Sequence, residues 1–300
     1  MKKGIYLVLI TALISGFANF FNKMGMEALG KDAYQYTFLK NAIVALVLSA
    51  AILTPLLWPK LKQISKSQWL KLVLIGLIGG SIPFLLFFKG LSMTSAVSAS
   101  FIHKTLFIWV AILAVPFLKE KVTKLQFLAL AVLFGSGLLF GGFKSFTWTY
   151  AHTLVLLATL FWAVENVIAK KVLKNVDALV VAWGRMFFGS LLLLGFLAFT
   201  GNTNGLLEIN GQQWLWLILV SAFLTGYVVT WYGALKILPA TTVSAFLVLA
   251  APVTALLNGL FVAHKLPVND LWRILIMAAA LAVLWRFSKR ENYGLEFKQA

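Results

Sequence analysis

Ten apolar runs succeed one another along this 300-residue chain, each near the roughly 20 residues a helix needs to cross a bilayer. They fall at about 4–25, 33–54, 68–89, 96–117, 123–142, 150–171, 178–200, 212–235, 241–263 and 268–287. Inside hydrocarbon every backbone N–H and C=O must be satisfied within the chain, so runs of this length fold as spanning helices. The expected fold class is therefore all-α and integral to the membrane, with ten transmembrane helices. Composition agrees: 61% of the residues are hydrophobic and 12% charged, where soluble domains are about half apolar and a quarter charged. No polar stretch is long enough for a separate soluble domain. Met1-Lys2-Lys3 and the apolar run that continues to Phe21 read as a first spanning helix rather than a removable leader, because the second half of the chain repeats it.

That repetition is the second constraint. Val97-Ser98-Ala99 returns as Val243-Ser244-Ala245, and Lys119 as Lys265, each 146 residues on. Asn19 and Lys23 return as Asn166 and Lys170 after 147, and Lys40 corresponds to Arg185 after 145. Near-constant offsets predict two repeats, residues 1–147 and 148–300, with five helices each. An odd number of spans per repeat places the second copy upside down relative to the first.

The net charge of +17 comes from 26 basic and 9 acidic residues. With the N-terminus inside, 17 of the 26 lysines and arginines fall in inner loops and 6 in outer ones, while Lys40, Lys104 and Arg185 lie within spans. That bias puts both termini in the cytoplasm and accounts for the basic excess without a nucleic-acid partner. There is no cysteine, and the three histidines lack metal-ligand spacing, so no metal or cofactor is expected. No phosphate-binding loop, zinc helix or hydrolase elbow occurs, which argues against ATP-driven work and against an enzyme.

Ionisable groups inside a bilayer cost several kcal/mol, so each one needs a reason. Glu165 is the only acid within a predicted span. It is either a proton acceptor or anchor for a substrate amine, or the partner of Arg185 across the hairpin that turns near Asn175. Its counterpart in the first repeat is Ala18, whereas Arg185 keeps a cation in Lys40. Lys104 and His103 have the apolar counterparts Ala250 and Leu249, and depth argues against a direct bond between Lys104 and Glu165. Lys40 and Lys104 thus either make a positive outer cavity suited to a carboxylate or phosphate, or snorkel to headgroups and to Glu27 and Asp32. Softer signals are the stripes Ser15, Asn19 and Asn22 on helix one, Trp162 and Asn166 beside Glu165, and Tyr227, Thr230 and Trp231 on helix eight. These line a solute path or bond helix to helix. Pro83 and Pro252 predict bends or hinges. Gly76, Gly79, Gly80, Gly135 and Gly137 predict close helix packing, and Trp58, Trp69, Trp148, Trp214 and Trp216 an interfacial belt. Glu120 reads as an acid favouring the N-terminus of the fifth helix.

The decapeptide Ala-Val-Pro-Phe-Leu-Lys-Glu-Lys-Val-Thr at 114–123 ends the fourth span, and Gly-Leu-Phe-Val-Ala-His-Lys-Leu-Pro-Val at 259–268 ends the ninth. With the helix-one stretch Ser15-Gly16-Phe17-Ala18-Asn19, they resemble the drug/metabolite transporter superfamily in its EamA-like branch. Phe17 and Leu266 depart from that pattern, which often has a small residue and a glutamate there. The resemblance implies a secondary transporter working by alternating access, with a solute cavity lined mainly by helices one, three, four, six, eight and nine.

The expectation is a transporter of a small polar metabolite (an amino acid, organic anion or zwitterion) in the cytoplasmic membrane, with export the favoured direction. Substrate or coupling roles are expected for Glu165, Lys104, His103, Asn19, Asn166, Trp162, Tyr227 and Trp231, and a structural pair or gate for Arg185 and Lys40. The partners are the substrate, the bilayer and a proton as candidate coupling ion; no oligomeric state is specified. The alternatives are a proton-coupled exporter of cationic drugs using Glu165, and a non-transporting membrane scaffold.

Overall fold

The computed structural model describes residues 2–140, 147–264 and 271–296, and among them there is no strand. Lys144, Lys265, Leu266 and Lys298 lie outside these segments. The helices are α1 (Lys2–Leu29), α2 (Ala33–Ile52), α3 (Trp58–Lys62), α4 (Lys66–Ile75), α5 (Ile82–Ser92), α6 (Ala96–Lys104), α7 (Leu106–Leu118), α8 (Lys124–Phe140), α9 (Tyr150–Val172), α10 (Ala178–Phe199), α11 (Gly211–Ile237), α12 (Ala240–Phe246), α13 (Ala250–Asn258) and α14 (Leu271–Glu296). Two π-helical turns, Gly76–Ser81 and Gly259–Ala263, join α4 to α5 and extend α13. A 3-10 turn, Leu247–Leu249, joins α12 to α13.

Among the described residues, eight helical stretches are long and apolar enough to cross a membrane: α1, α2, α4 through α5, α6 with α7, α9, α10, α11, and Ala240–Ala263. The apolar parts of α8 and α14, Lys124–Ser136 and Ile274–Arg286, are shorter. Polar residues start these helices where the sequence supplies them. Asp32 accepts from the Tyr34 amide, Asp177 from Leu179 at 3.0 Å, and Asn210 with Gln213 forms a reciprocal cap on α11.

Three spans depart from a regular α-helix, two of them at or near the bends predicted from Pro83 and Pro252. The stretch 68–89 contains a π turn, 96–117 breaks at Thr105, and 241–263 contains both a 3-10 and a π turn. The first break has a local cause. Pro83 has no N–H, so the carbonyl of Gly79, four residues earlier, loses its helical donor. That carbonyl instead accepts from the Trp162 indole at 2.9 Å and from Arg185 Nη2 at 3.0 Å. Pro83 therefore makes a fixed bend whose freed carbonyl is used.

The bundle packs α1 against α11 and α13, α5 against α9, α2 against α10, and α8 against α14. Glycine permits the closest approach: a Cβ on Gly80 would lie 2.1 Å from the Arg185 carbonyl oxygen, and one on Gly189 2.6 Å from that of Gly80. Trp58, Trp148 and Trp214 are exposed, as an interfacial belt requires, but Trp69 turns inward against Trp183 at 5.9 Å.

The ends of the bundle are tied by polar groups. At the end carrying the chain's N-terminus, Lys170 donates to the carbonyls of Leu235 (2.6 Å) and Leu238 (2.7 Å), closing the last turn of α11. At the other end Lys23 donates to Leu91 (3.2 Å) and Ser92 (3.4 Å), closing α5. Glu120 corrects the expectation for its own helix: it accepts from the Ala240 amide (2.7 Å), the Thr241 amide (3.1 Å) and the Thr241 hydroxyl (2.8 Å). It thus caps α12, in the opposite half of the chain. Lys119 (φ 58) and His264 (φ 51) both adopt the left-handed conformation that terminates a helix. They are 145 residues apart, one short of the Lys119–Lys265 offset, and Lys265 lies outside the described residues.

Candidate functional site

Where α1, α2, α5, α6, α9, α10 and α11 converge, with Leu106 of α7, they line a cavity of about 70 Å³. That is room for on the order of five water molecules. Its charged lining is Lys40, Glu165, Arg185 and His103, which come from both halves of the chain. Asn19, Asn166, Trp162, Tyr227 and Trp231 line it as well. Lys104 does not: its amine donates to the Ser15 hydroxyl at 2.8 Å, and Ser15 in turn faces the cavity.

Glu165 sits on α9, on the face it shares with Trp162 and Asn166, and is 1% exposed. Its Oε1 accepts from the Tyr232 hydroxyl at 2.5 Å. Glu165 and Arg185 flank Gly79, where an added Cβ would lie 2.5 Å from Glu165 Cγ and 3.3 Å from Arg185 Nε. They nevertheless form no ion pair; those among the described residues are Lys23–Glu27 and Lys60–Asp177. The direct Glu165–Arg185 bridge considered from the hairpin geometry is thus replaced by a bond to α11 on one side and to the Gly79 carbonyl on the other. The Nε of Arg185 has no hydrogen-bond partner, nor has Nδ1 of His103. The His103 ring lies 4.8 Å from Trp162 and 5.4 Å from Phe87.

Lys40 departs most from expectation. It neither snorkels nor reaches Glu27 or Asp32: it is 1% exposed, Glu27 pairs with Lys23, and Asp32 starts α2. Its Nζ lies 3.6 Å over the Phe88 ring and donates to Asn22 Oδ1 at 3.1 Å. Tyr36 donates to the same oxygen at 2.7 Å. Aromatic faces and one amide thus take the place of a counter-ion.

The softer polar stripes divide. Asn19 donates to Ser100 at 3.0 Å, and Asn166 accepts from the Trp231 indole at 3.1 Å, both at the cavity wall. Thr230 instead bonds Thr11 at 2.7 Å, tying α11 to α1. Sequence reasoning missed Tyr232, Tyr36, Phe84 and Phe88. Tyr36 carried a signal, since it lies one helical turn before Lys40 on the same face.

A larger apolar groove, about 940 Å³, runs along α6, α7 and α8. Phe101, Ile108, Trp109, Phe127 and Phe134 wall it and no charged residue lines it, so it suits hydrocarbon rather than a polar solute.

Comparison with known proteins agrees with this architecture. The profile of the EamA-like transporter family matches residues 2–141 and again 149–286. An uncharacterized transporter of Clostridium kluyveri is 25% identical over 309 aligned positions, covering 97% of this chain and 96% of the relative. One from Archaeoglobus fulgidus is 24% identical over 262, covering 85% and 88%. A third, from Sinorhizobium, is 27% identical over 138 positions, covering 46% of this chain but 96% of the relative. A protein of known crystal structure superposes with a TM-score of 0.71 at 15% identity, over 94% of this chain and 98% of its own.

Proposed function

The chain belongs to the EamA-like transporter family, and from that premise we propose that it moves a small polar metabolite across the cytoplasmic membrane by alternating access, in the direction of export. Membership of a transporter family makes it a multi-pass membrane transporter rather than an enzyme or a passive scaffold. The observation that carries the rest is the small cavity, lined by ionisable side chains and walled by helices of both halves. A passive scaffold has no use for four buried ionisable groups around one void, because each costs free energy to keep there.

In this reading ten spanning elements form two inverted repeats, residues 1–147 and 148–300, with α8 and α14 as the fifth helix of each. The packing supports it. If the repeats are related by a twofold axis in the membrane plane, α1 on α11 is the image of α5 on α9, while α2–α10 and α8–α14 straddle the axis. The separate family matches to the two halves support it too. Both termini lie in the cytoplasm, as the lysine and arginine distribution requires. Glu165 and His103 are the groups able to exchange a proton with the cavity, which makes the proton the candidate coupling ion. Asn19, Asn166, Trp162, Tyr227 and Trp231 shape the cavity around the solute, and Lys104 holds Ser15 in its wall.

Purified protein in liposomes tests this reading. Efflux of labelled amino acids and organic acids is followed with and without a pH gradient, for the natural chain and for Glu165→Gln. The expected result is solute movement that the gradient accelerates in the natural chain and leaves unchanged in the variant. Acceleration that survives Glu165→Gln removes Glu165 from coupling, and absence of movement for every solute removes the transport reading.

A further inference from the structure

We infer that Lys40 and Arg185 together form a receptor for a single anionic group on the transported solute, a carboxylate in preference to a dianionic phosphate. The inference rests on the transporter reading and goes beyond it by assigning the substrate's charge to two residues.

The two side chains occupy corresponding positions, 145 residues apart, on α2 and α10, which pack against each other. Both reach one ring: Lys40 Nζ lies 5.6 Å and Arg185 Cζ 5.4 Å from the centre of Phe84. The two cations are therefore no more than 11.0 Å apart, the sum of those distances, and both line the same void.

Neither cation stands in an ion pair. No carboxylate oxygen lies within ion-pair distance of either, since the ion pairs among the described residues are elsewhere. Lys40 has one hydrogen bond, to Asn22, and a ring face beneath it. Arg185 spends Nη2 on the Gly79 carbonyl, but its Nε is buried without a partner. A guanidinium N–H buried without an acceptor is costly, and buried charges are normally paired. The one acid of the wall, Glu165, is already bonded to Tyr232. The wall sets two basic side chains against one acid, an arrangement that suits a compact monoanion better than a dianion. The planar guanidinium edge suits the two oxygens of a carboxylate. The cavity volume, about 70 Å³, limits the anion to a compact one unless the wall expands.

The test is ligand-induced thermal stabilisation of the detergent-purified full chain, paired with solute counterflow in liposomes. The probes are the neutral amino acids and a set of two- to four-carbon monocarboxylates, each beside its amide, with inorganic phosphate as the dianionic arm. At least one carboxylate is expected to bind the natural chain at least tenfold more tightly than its amide and than phosphate. Lys40→Met and Arg185→Gln should each abolish that preference, while Lys40→Arg and Arg185→Lys retain part of it. The carboxylate–amide comparison uses the natural chain alone, so it stands even if the neutral variants fail to fold. Equal binding of a carboxylate and its amide overturns the inference, as does stabilisation by phosphate alone or by no carboxylate. Counterflow of an uncharged or cationic solute, indifferent to carboxylates, overturns the anion receptor and leaves the transporter reading standing. No counterflow of any solute overturns that reading as well.

Discussion

What Glu165 can do is set by Tyr232. The carboxylate is buried beneath α11, and the phenol hydroxyl is its one hydrogen-bond donor among the described side chains. Tyr232→Phe removes that donor and leaves a buried carboxylate oxygen bare, which should cost about 1–3 kcal/mol. Chemical unfolding of the purified protein measures it, and pairing the change with Glu165→Gln in a double-mutant cycle isolates the bond. Unchanged stability in Tyr232→Phe would mean the contact contributes nothing. Glu165 was legible in the sequence because it is the only acid within a span, and a lone buried charge needs a reason. Tyr232 was not legible: it sits beside Trp231, and the stripe Tyr227, Thr230 and Trp231 drew attention to a neighbouring face. Its role arises only when α11 is laid against α9, which no spacing along one helix records. Lys40 misled for the opposite reason. Its position permitted snorkelling, and only the tertiary fold brings Phe88 and Asn22 around its amine.

At the scale of the element, the length of each apolar run decided the helices and single residues decided their breaks. The runs at 33–54, 150–171 and 178–200 differ from Ala33–Ile52, Tyr150–Val172 and Ala178–Phe199 by two residues or fewer at either end. Pro83 and Pro252 signalled the irregular turns at Gly76–Ser81 and Leu247–Leu249, whereas the break at Thr105 carried no signal, because hydropathy does not register which turn a backbone takes. Pro83 shows what such a break is for. Pro83→Ala restores an N–H aimed at the Gly79 carbonyl, in competition with Arg185 and Trp162. Stability should hold or rise, while loosening Arg185 should slow transport by on the order of tenfold or more. Initial rates in liposomes beside thermal midpoints report both, and an unaltered rate would sink the link between bend and site. The start of α10 gives a pH prediction. Burial pushes the Asp177 carboxyl up, but the Lys60 hydrogen bond (2.7 Å), the Leu179 amide and the charges of Lys60 and Lys236 outweigh it. The net pKa lies below the ordinary 3.8. A folded pKa below the unfolded one means stability that is present above the unfolded value and lost as pH falls through the folded one. The pair is partly exposed, so the loss should be no more than about 1 kcal/mol. Comparing unfolding from pH 6 down to about pH 3 in the natural chain and in Lys60→Ala detects the Lys60 share, as a pH slope in that acid window that is shallower in the variant, where the Leu179 amide and Lys236 remain.

At the scale of the whole molecule, the two lysine ties carry the duplication into mechanism. Lys23 holds the carbonyl of Leu91 and Lys170 that of Leu238, and both pairs are offset by 147 residues. The same bond therefore occurs twice, once at each end of the bundle, each closing a helix of its own half. In an inverted repeat, equivalent contacts on opposite faces are the natural latches of two alternating states, since loosening either biases the molecule toward opening on that side. The lengths are unequal. Lys170 donates at 2.6 and 2.7 Å, Lys23 at 3.2 and 3.4 Å, and Lys23 also shares its charge with Glu27 at 3.4 Å. Glu120 adds a second tie beside Lys170, across the halves. The N-terminal end carries the shorter and more numerous ties, so on the proposed orientation the expected resting preference is for opening outward. The chain contains no cysteine, so a single one introduced at Ala18, in the cavity wall, reports access without background. In oriented vesicles, Lys170→Met should raise labelling of that cysteine by an impermeant reagent from the cytoplasmic side and lower it from outside. Lys23→Met should do the reverse, with the smaller change because its bonds are longer. A ligand or mutation shifts such an equilibrium only by its differential free energy, so losing a charged hydrogen bond of about 1.5–3 kcal/mol should move the ratio of labelling rates by roughly ten- to a hundredfold. If both variants move access on the same side, the lysines are not opposed latches, whatever their symmetry.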